Sequence, residues 1–496
     1  MSYSDTIVVI LAAGKGTRLK SGVAKVLHRA GGRSLVEHVI RACQPLAARG
    51  TIVVAGYQAD PVRVVAESLG AATVLQEPLK GTGHALLAVR EAIPPGVTRV
   101  LVVPGDAPLI RSETLAALLN AHEASGAVAA VLTAHLDNAT GYGRIVRGSD
   151  RDVEAIVEEK TATPGQRAIC EVNSSIYSFN LHGLWQAVER IRPNNFHGEI
   201  YLTDAVALLR EHGNRVVAVC SDDAQEVLGC NTRAELADLD RIFRHRKAAA
   251  LMDAGVTLYL PETSFIDADV EAGMDTVIQP GVQLLGRTRI GERCTIGAGC
   301  VLMDADIADD VEIKPHSLVF NSRLGSGTGV GPFAHIRDGA ELRPGARVGN
   351  FVEVKKSIVG EGTKAMHLTY IGDATIGAGT NIGAGTITCN YDGARKNPTT
   401  IGDRVFIGSG TELVAPVSVG SGAYVAAGST ITENVPADSL AIARSRQVNK
   451  DGWATFRARF LKDSAAPATA DPANGNTTDT KNPRQLRRGK GKTSAK

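Results

Sequence analysis

The feature that most constrains this sequence is an aliphatic residue that recurs every six positions from about Ile278 to Ile431. A period of six fits neither an α-helix, which repeats near 3.6 residues, nor an alternating strand, which repeats every two. It fits a solenoid in which each hexad forms one short strand and one turn, so that three hexads close a triangular coil. The alternative, an ordinary sheet domain with many Val-Gly turns, is disfavoured by so many repeats in register. The predicted inward residues are Ile278, Leu284, Ile290, Ile296, Leu302, Ile307, Ile313, Val319, Leu324, Val330, Ile336, Leu342, Val348, Val354, Ile401, Ile407, Leu413, Val419, Val425 and Ile431.

The residues around these positions suit the corners of a prism. Glycine often follows the aliphatic residue, as after Ile290, and it adopts positive φ at little cost. The array resembles the left-handed parallel β-helix of the hexapeptide-repeat acyltransferases. The left hand comes from that resemblance alone, because ordinary crossover connections are right-handed. The resemblance also implies a homotrimer, since such prisms associate through their flat outer faces and place active sites between them.

The first half of the chain alternates strand-like and helix-like stretches. Alternation of this kind predicts a parallel or mixed sheet covered on both faces, a doubly wound, Rossmann-like α/β domain. We therefore expect domain 1–232, a charged helical linker at 233–255, an all-β domain at 256–462 and a basic tail at 463–496. The tail has almost nothing to bury, so we expect it to be disordered. The expected strands cover 7–12, 52–56, 73–76, 100–103 and 128–133, and the expected helices 35–47, 61–69, 83–92 and 114–124.

Composition excludes several classes of function. Charge is nearly balanced, with 54 basic and 52 acidic residues, so nothing favours nucleic acid as a partner. The seven cysteines contain no Cys-x-x-Cys, so neither a zinc site nor a disulfide framework is indicated. The first apolar run, residues 7–13, is too short for a signal peptide core with its flanks or for a membrane span. We expect a cytoplasmic protein.

The first strand continues into the glycine-rich segment Leu11-Ala-Ala-Gly-Lys-Gly-Thr-Arg-Leu, followed by Lys25. A glycine-rich turn at the carboxyl end of a strand points backbone N–H groups into the crevice where α/β sheets bind ligands. The segment is neither a Walker loop nor the Gly-x-Gly-x-x-Gly dinucleotide turn. Gly-x-Gly alone is equally well a structural turn. The whole nonapeptide with its downstream lysine resembles the signature of sugar-nucleotide pyrophosphorylases.

Further segments strengthen this resemblance. Gln76 precedes a turn at 81–85 that opens a helix, and Asp106 follows a hydrophobic strand, where a cation could bind. Such an aspartate is by itself more often a cap or turn residue. Two departures from the usual pattern are Pro104, at a position that often holds another residue such as tyrosine, and Ser174-Ser175 in place of Thr-Gly.

Taken with the repeats, residues 5–460 resemble the bifunctional family of N-acetylglucosamine-1-phosphate uridyltransferases and glucosamine-1-phosphate N-acetyltransferases. In the first domain, the resemblance implies that the uracil nucleotide contacts seven residues, that Arg18 and Lys25 bind its phosphates, and that Asp106 and Asn231 hold Mg²⁺. The implied nucleotide residues are Leu11, Ala12, Ala13, Gly14, Gln76, Gly81 and Thr82, and the implied sugar residues are Gly143, Glu158, Asn173 and Asn231.

In the second domain, two segments, 364–373 and 389–396, are predicted to interrupt the hexads and to carry polar residues. A histidine in a loop is usually only a surface residue, but the resemblance makes His367 the general base. It implies that the sugar phosphate contacts Arg337, Lys355, Tyr370, Asn381 and Lys396. It also implies that acetyl-CoA contacts Ala384, Asn390, Tyr391, Ser409, Ala427 and Arg444.

The implied function is two-step synthesis of UDP-N-acetylglucosamine, a precursor of peptidoglycan and of lipopolysaccharide-type envelopes. Acetyl transfer from acetyl-CoA to glucosamine 1-phosphate needs a neutral amine, and an imidazole can take its proton near neutral pH. Backbone N–H groups or Tyr391 would stabilise the oxyanion. Uridylyl transfer from UTP to N-acetylglucosamine 1-phosphate would follow. Two alternatives stay open, namely a single-activity pyrophosphorylase with a structural β-helix and a non-catalytic regulatory subunit.

Overall fold

A computed structural model describes residues 2–191 and 200–465 of the 496-residue chain. The chain divides into two compact units, residues 1–443 and residues from 444 onward. The α/β elements, the long helix and the β-helix all belong to the first unit. Within the described ranges, no helix combines the length and the apolar character needed to cross a membrane.

The first unit begins with an α/β domain. Its strands are β1 (Thr6–Ala12), β2 (Arg29–Ala30), β3 (Arg33–Ser34), β4 (Gly50–Ala55), β5 (Ala72–Leu75), β6 (Arg99–Pro104), β7 (Ala129–His135), β8 (Arg144–Arg147), β9 (Val153–Val157), β10 (Glu171–Asn180) and β11 (Val216–Cys220). Its helices are α1 (Leu35–Cys43), α2 (Ala59–Ser68), α3 (Thr82–Val89), α4 (Ser112–Ser125), α5 (Pro164–Arg167), α6 (Leu181–Val188) and α7 (Thr203–Glu211). Short 3₁₀ turns cover Thr17–Leu19, Lys25–Leu27, Gln44–Leu46, Arg90–Ala92 and Ala224–Val227.

The main sheet of this domain is mixed and has the order β11-β7-β10-β6-β1-β4-β5. Strand β1 is parallel to β4 and β6, whereas β10 is antiparallel to β6 and β7. Alternate residues of β1 enter two different buried clusters, Val8 and Ile10 on one side and Ile7 and Val9 on the other. Both faces of the sheet are therefore covered, which confirms the predicted doubly wound architecture.

The β-helix follows the long helix α8 (Arg233–Asp253), and the 3₁₀ turn Pro261–Thr263 lies between its first two strands. Its first strands are β12 (Thr257–Leu258), β13 (Phe265–Ile266), β14 (Glu271–Ala272), β15 (Val277–Ile278), β16 (Gln283–Leu285), β17 (Arg289–Ile290), β18 (Thr295–Ile296), β19 (Val301–Met303), β20 (Asp306–Ile307) and β21 (Glu312–Ile313). The middle strands are β22 (Leu318–Phe320), β23 (Arg323–Leu324), β24 (Gly329–Val330), β25 (His335–Arg337), β26 (Glu341–Leu342), β27 (Arg347–Asn350), β28 (Glu353–Lys355), β29 (Ile358–Val359), β30 (Lys364–His367) and β31 (Tyr370–Gly372). The last are β32 (Ala374–Ile376), β33 (Asn381–Ile382), β34 (Ile387–Cys389), β35 (Thr399–Ile401), β36 (Phe406–Ile407), β37 (Glu412–Val414), β38 (Val417–Val419), β39 (Tyr424–Val425), β40 (Thr430–Ile431) and β41 (Leu440–Ala441).

These strands form the three faces of a prism. The first sheet has 11 strands and starts with β12, the second has 10 and starts with β13, and the third has 9 and starts with β14. Neighbours within a sheet are parallel and one coil apart, as in the pairing of Ile278 with Ile296. All twenty predicted inward residues are at most 4% exposed. The period of six therefore encodes a three-faced solenoid, as predicted.

One of the two predicted interruptions is wrong. Residues 364–373 do not leave the prism, because Ala365 and Ile371 occupy inward positions and are buried. The coil stays in register, with Val348 opposite Ala365 and Val354 opposite Ile371. The repeat is hard to recognise here in the sequence, because the inward Ala365 is small and the step from Ile371 to Ile376 is five residues instead of six.

The second predicted interruption is present. The inward position after Ile382 is taken by the buried Thr388, and the next inward residue is Ile401. The segment between them leaves the prism as a small hairpin, closed by a bridge between Tyr391 and Lys396. Ile387 is aliphatic but exposed, whereas Thr388, six residues after Ile382, is buried. Thr388 is therefore the residue that continues the period of six.

Helix α8 does more than link the two predicted domains. Thr232 and Glu235 form a capping box at its start, and Phe243 in its middle stacks on His38 of α1, with ring centroids 3.9 Å apart. The β2–β3 hairpin also contacts the first coil directly, because Ala268 N–H donates to the Gly31 carbonyl at 2.9 Å. We call these contacts of residues 29–34, α8 and residues 267–269 the interdomain seam.

The second unit contains helix α9 (Trp453–Ala465), in which the rings of Trp453 and Phe456 lie 5.7 Å apart. The helix ends at Ala465, so its last three residues belong to the expected tail, 463–496. The rest of the predicted disordered tail, from residue 466, lies outside the described residues.

Candidate active sites

The predicted nucleotide residues line one crevice at the carboxyl ends of β1 and β6. The cavity has a volume of about 600 Å³. Asp106, Asn231 and Pro104 also face it, as do several residues that the sequence reasoning did not assign, among them Ser175. The nine predicted residues in its lining are Leu11, Ala12, Ala13, Gly14, Arg18, Lys25, Gln76, Gly81 and Thr82.

The glycine-rich loop after β1 passes close to the Lys25 side chain at Gly16. Gly16 has φ +65°, and a Cβ added there would lie 2.5 Å from the Lys25 Cβ. A side chain at Gly16 would therefore displace Lys25 from the crevice wall. By contrast, a Cβ on Gly14 would meet nothing within 4 Å, so the space beside Gly14 is open to a ligand. The loop thus holds a basic side chain against the crevice and leaves backbone exposed beside it.

The other wall of the crevice is the turn that starts α3. Gly81 has φ +92°, which favours glycine at this point of the turn. The buried Gln76 donates from Nε2 to the Gly81 carbonyl at 2.9 Å, which fixes the amide against the turn. The Thr82 hydroxyl accepts from the Leu202 N–H at 2.9 Å. These contacts place an amide side chain and the exposed start of a helix at one end of the cavity.

At the other end, two cationic side chains converge on two oxygen-bearing ones. The Asn231 Oδ1 accepts from Arg18 Nη2 at 2.7 Å and from Lys25 Nζ at 2.9 Å. The Lys25 ammonium also forms an ion pair with the Asp106 carboxylate. The Asn231 N–H donates to Glu235 of the α8 capping box, so the start of that helix positions Asn231.

The oxygens of Asp106 and Asn231 can accommodate a cation, because the Lys25 ammonium already lies against both. Residues 2–191 and 200–465, this crevice included, contain no cluster of three or more His, Cys, Asp or Glu side chains arranged for a metal. A carboxylate and an amide oxygen, completed by substrate phosphates, match the way Mg²⁺ is usually held in nucleotide enzymes. The donor set therefore fits the predicted ion.

The predicted sugar residues form a separate cluster. The Asn173 N–H donates to the Gly143 carbonyl at 2.8 Å, and a Cβ added to Gly143 would lie 3.8 Å from Glu158 Oε1. Burial raises the pKa of Glu158, the nearby Asp204 charge raises it further, and a hydrogen bond from Thr203 opposes the shift. Gly143, Glu158 and Asn173 thus lie together, whereas Asn231 belongs to the crevice.

A bulge in β10 joins this cluster to the crevice. The register with β7 shifts between Asn173 and Tyr177, and the Asn173 Nδ2 donates to the Tyr177 hydroxyl at 2.7 Å. Ser175, at the top of the bulge, has φ +62° and lines the crevice. A non-glycine residue in this conformation marks a constrained position. The departure from Thr-Gly was visible in the sequence, but the crevice contact of Ser175 was not.

In the β-helix, the predicted base lies at the corner between the first and second sheets. His367 ends β30, and the next residue, Leu368, turns the corner with φ +48°. The strand registers put one residue of each coil at the equivalent position. We call this column the corner line; it consists of Asn350, His367, Ala384, Ser409 and Ala427.

The corner line brings the predicted base together with three predicted acetyl-CoA residues. On the C-terminal side of His367, the corner line consists of the small residues Ala384, Ser409 and Ala427. Gly408 permits close stacking there, because a Cβ on it would lie 2.4 Å from the Ala427 nitrogen. The result is a narrow track of small residues that leads away from the histidine.

Three predicted sugar-phosphate residues lie on the second sheet, beside this corner. Arg337 and Lys355 are register partners at the far ends of β25 and β28, and Tyr370 begins β31. The Arg337 guanidinium pairs with Glu353 at 2.7 Å and with Asp338 at 2.6 Å. The outer face of the second sheet therefore has the histidine near one edge and two basic side chains at the other.

The hairpin at 389–396 adds polar groups at that far edge. The Asn390 Nδ2 donates to Asp373 at 2.6 Å and lies 3.5 Å from the Tyr370 hydroxyl. The Lys396 ammonium lies over the exposed Tyr391 ring, 4.3 Å from its centroid. Asn390, predicted to contact acetyl-CoA, is thus close to Tyr370 of the predicted sugar-phosphate residues and lies outside the corner line.

Within the hairpin, Asp392 accepts the N–H groups of Ala394 and Arg395. These bonds, first that of Arg395, lower the pKa of Asp392 to about 2.

Two residues predicted for the acetyltransferase site are not brought to the second sheet. Asn381 faces outward on the first sheet, and Arg444 is the first residue of the second unit; like the other site assignments, theirs stay predictions.

Comparison with known proteins shows where the chain belongs. Residues 8–169 match the MobA-like NTP transferase domain, and residues 273–304 and 398–433 match the bacterial transferase hexapeptide repeats. The "Bifunctional protein GlmU" of Koribacter versatilis is 47% identical over 452 residues, which cover 90% of this chain and 96% of that protein. The chain belongs to the GlmU family. The proteins of the same name from Trichlorobacter lovleyi and Geobacter sulfurreducens are 48% and 46% identical, each over 90% of this chain and 97% of the relative.

Family membership confirms the main predictions from the sequence. The parallel stacked sheets together with the hexapeptide match establish the left-handed β-helix, and the protein is a bifunctional nucleotidyltransferase and acyltransferase of UDP-N-acetylglucosamine synthesis. The alternatives of a single-activity enzyme and a non-catalytic subunit are set aside, because the similarity spans both domains.

Proposed function

We propose that uridylyl transfer takes place in the crevice of the α/β domain, with the roles that the sequence predicted. The uracil contacts Gln76, Gly81 and Thr82, and the phosphates extend toward Arg18 and Lys25. The observation that carries this assignment is the single cavity that all nine predicted nucleotide residues line together with Asp106 and Asn231. The cluster of Gly143, Glu158 and Asn173 receives the sugar.

In this reaction a phosphate oxygen of N-acetylglucosamine 1-phosphate attacks the α-phosphorus of UTP, and pyrophosphate leaves. No covalent intermediate with the protein is needed, so positioning and charge neutralisation supply the catalysis. Arg18 and Lys25 contribute fixed positive charge to the phosphates. Asp106 and Asn231 hold Mg²⁺, which when bound neutralises phosphate charge.

We infer that acetyl transfer takes place across the outer face of the second sheet. A strand of three residues spans about 10 Å, so a sugar phosphate can reach from Arg337 and Lys355 at one edge to His367 at the other. The acetyl-CoA thioester would lie along the corner line. His367 takes the proton of the amine, the nitrogen attacks the thioester carbon, and the thiolate of CoA leaves.

A homotrimer would complete this second site. His367 and Tyr391 are exposed in the single chain, and Asn381 lies on a different face from Tyr370. A neighbouring prism placed against the second sheet would bring such separate faces together. The proposed place of action is the cytoplasm, the compartment that holds UTP and acetyl-CoA.

The complete function is tested by incubating the protein with glucosamine 1-phosphate, acetyl-CoA, UTP and Mg²⁺. We expect UDP-N-acetylglucosamine, and its formation should depend on all four components. Free thiol from CoA and pyrophosphate are measured in separate assays, so that each half-reaction is followed alone.

Two variants test the residue assignments. His367→Ala removes the proposed base, and acetyl transfer is expected to slow by about 10²–10⁴-fold, with uridylyl transfer of supplied N-acetylglucosamine 1-phosphate unchanged. Asp106→Ala should do the reverse, because it removes a charged ligand from the crevice only. If either folded variant lost both activities, the two-site assignment would be wrong.

A further inference from the structure

The first sheet is irregular where it passes the proposed base. Most of its strands have two residues, but β27 and β30 have four each and stay paired up to the corner. The extra register pair joins Asn350 to His367. The backbone N–H of Leu368 also donates to the Asn350 carbonyl, at 3.1 Å. The prism therefore extends its pairing here by the length needed to bring Asn350 beside the histidine.

Gly349 makes this extension possible. A Cβ added to Gly349 would lie 1.9 Å from the Met366 carbonyl oxygen. This is the closest approach found at any glycine of the described chain, and a side chain there would force β27 and β30 apart. The close contact lets residue 350 reach the residue that follows Met366, which is His367.

The two side chains meet in a hydrogen bond of defined direction. The His367 Nδ1 lies 2.7 Å from the Asn350 Oδ1. An amide oxygen can only accept, so Nδ1 carries the hydrogen, and a neutral ring then has its lone pair on Nε2. A hydrogen bond at one ring nitrogen sets the tautomer and hence the role of the other.

We propose that Asn350 is a positioning residue for acetyl transfer, whose amide oxygen orients the His367 ring and fixes the tautomer that accepts the amine proton at Nε2. The inference rests on the proposed function, in which His367 is the base. It adds a residue that the sequence reasoning did not assign. Asn350 does not touch the substrate in this arrangement and acts only through the histidine.

The test compares Asn350→Ala with Asn350→Asp in the full-length protein, using steady-state acetyl transfer to glucosamine 1-phosphate from pH 5.5 to 9. Asn350→Ala frees the ring and allows the wrong tautomer. We expect its kcat to fall by about 10- to 100-fold, as is typical when the partner that orients a histidine ligand is removed, with little change in KM. Asn350→Asp keeps the acceptor but adds a negative charge, which favours imidazolium. The acid limb of its kcat/KM profile should move to higher pH by roughly one unit.

Controls separate this role from simple stabilisation. Gln283→Ala, an exposed replacement on the same sheet as Tyr370, should leave the kinetics unchanged, and uridylyl transfer should be normal in every variant. A merely structural Asn350 would change thermal stability without moving the pH profile. The proposal is overturned if Asn350→Ala keeps the kcat of the native protein, or if Asn350→Asp leaves the acid limb in place. If His367→Ala also stayed active, the proposed base itself would be wrong, and this outcome is distinct from a failure of Asn350 alone.

Discussion

We predict that the stability of the α/β domain depends on pH through His38, a buried histidine of α1 that packs against α8 beside the interdomain seam. His38 is only 6% exposed, donates from Nε2 to the Ala30 carbonyl at 2.8 Å, and stacks flat on Phe243 of α8. Burial lowers the pKa of His38 from its ordinary 6.5 to about 4. The Arg33 charge adds to this shift, whereas the Ala30 carbonyl and the Glu37 charge oppose it.

The sign and size of the effect follow from proton linkage. Between pH 6.5 and about 4 the unfolded chain binds a proton at His38 that the folded protein excludes, so stability is full above pH 6.5 and is lost as the pH falls. One decade of proton affinity is worth about 1.4 kcal/mol. The total loss is therefore about 3 kcal/mol, most of which has occurred by pH 4.5.

His38→Phe isolates this contribution. The replacement keeps a ring against Phe243 but leaves the Ala30 carbonyl without its donor, which costs about 1 kcal/mol at any pH. The variant should therefore be less stable than the native protein at pH 7.5 and more stable at pH 4.5. Other groups titrate in both proteins and cancel in the difference.

Urea unfolding followed by tryptophan fluorescence measures the two free energies of unfolding, because Trp185, one of the two tryptophans, lies in the α/β domain. The matched control is His245→Phe on the exposed side of α8, where no buried imidazole is removed. The stability curves of the native protein and His38→Phe should cross between pH 7.5 and 4.5, and those of the control should stay parallel. Parallel curves for His38→Phe would refute the linkage.

Two further predictions concern the β-helix. Leu302 is completely buried in the prism, so Leu302→Ala should destabilise the solenoid by about 3 kcal/mol in urea unfolding followed by circular dichroism, while uridylyl transfer stays normal; an unchanged midpoint would contradict the inward placement. Light scattering should find the full-length protein as a trimer and a chain that ends at Asp253 as a monomer. A stable full-length monomer would contradict the proposed assembly.

The sequence predicted the solenoid well because the inward positions obey a local rule. Ile336 faces inward, and so do the residues six positions before and after it. The pattern can therefore be recognised from the sequence without knowledge of tertiary contacts. The prediction from the period of six was wrong at 364–373, where one inward residue is Ala365. A methyl side chain satisfies the narrow interior without giving an aliphatic signal, so polar neighbours such as His367 were taken for a loop.

The interdomain seam could not be predicted in this way. The contact between Gly31 and Ala268 joins residues more than two hundred positions apart and has no period. Gly32 has φ +86°, and a Cβ there would lie 2.5 Å from Asp267 Cγ, so glycine is required by a surface formed only after folding. The crevice was predicted because its residues follow strands, whereas Asn350 is one outward polar residue in a repeat full of them.

The corner line explains how a regular prism comes to carry an active site. Below His367 the corner turns are made by His316, Phe333 and Phe351, each with positive φ, although a non-glycine residue costs about 1 kcal/mol there. Phe333 and Phe351 are about half exposed and stacked, with centroids 5.4 Å apart. Above His367 the turns are made by Gly385, Gly410 and Gly428. The turns of this corner thus change from bulky aromatic residues to glycines, and His367 lies where the change occurs.

Three coils of the glycine-rich part of the corner rise about 14 Å, a length suited to an extended acyl carrier. The exposed rings of Phe333 and Phe351, which have strained backbones, would be buried if a second prism covered them, as the proposed trimer requires.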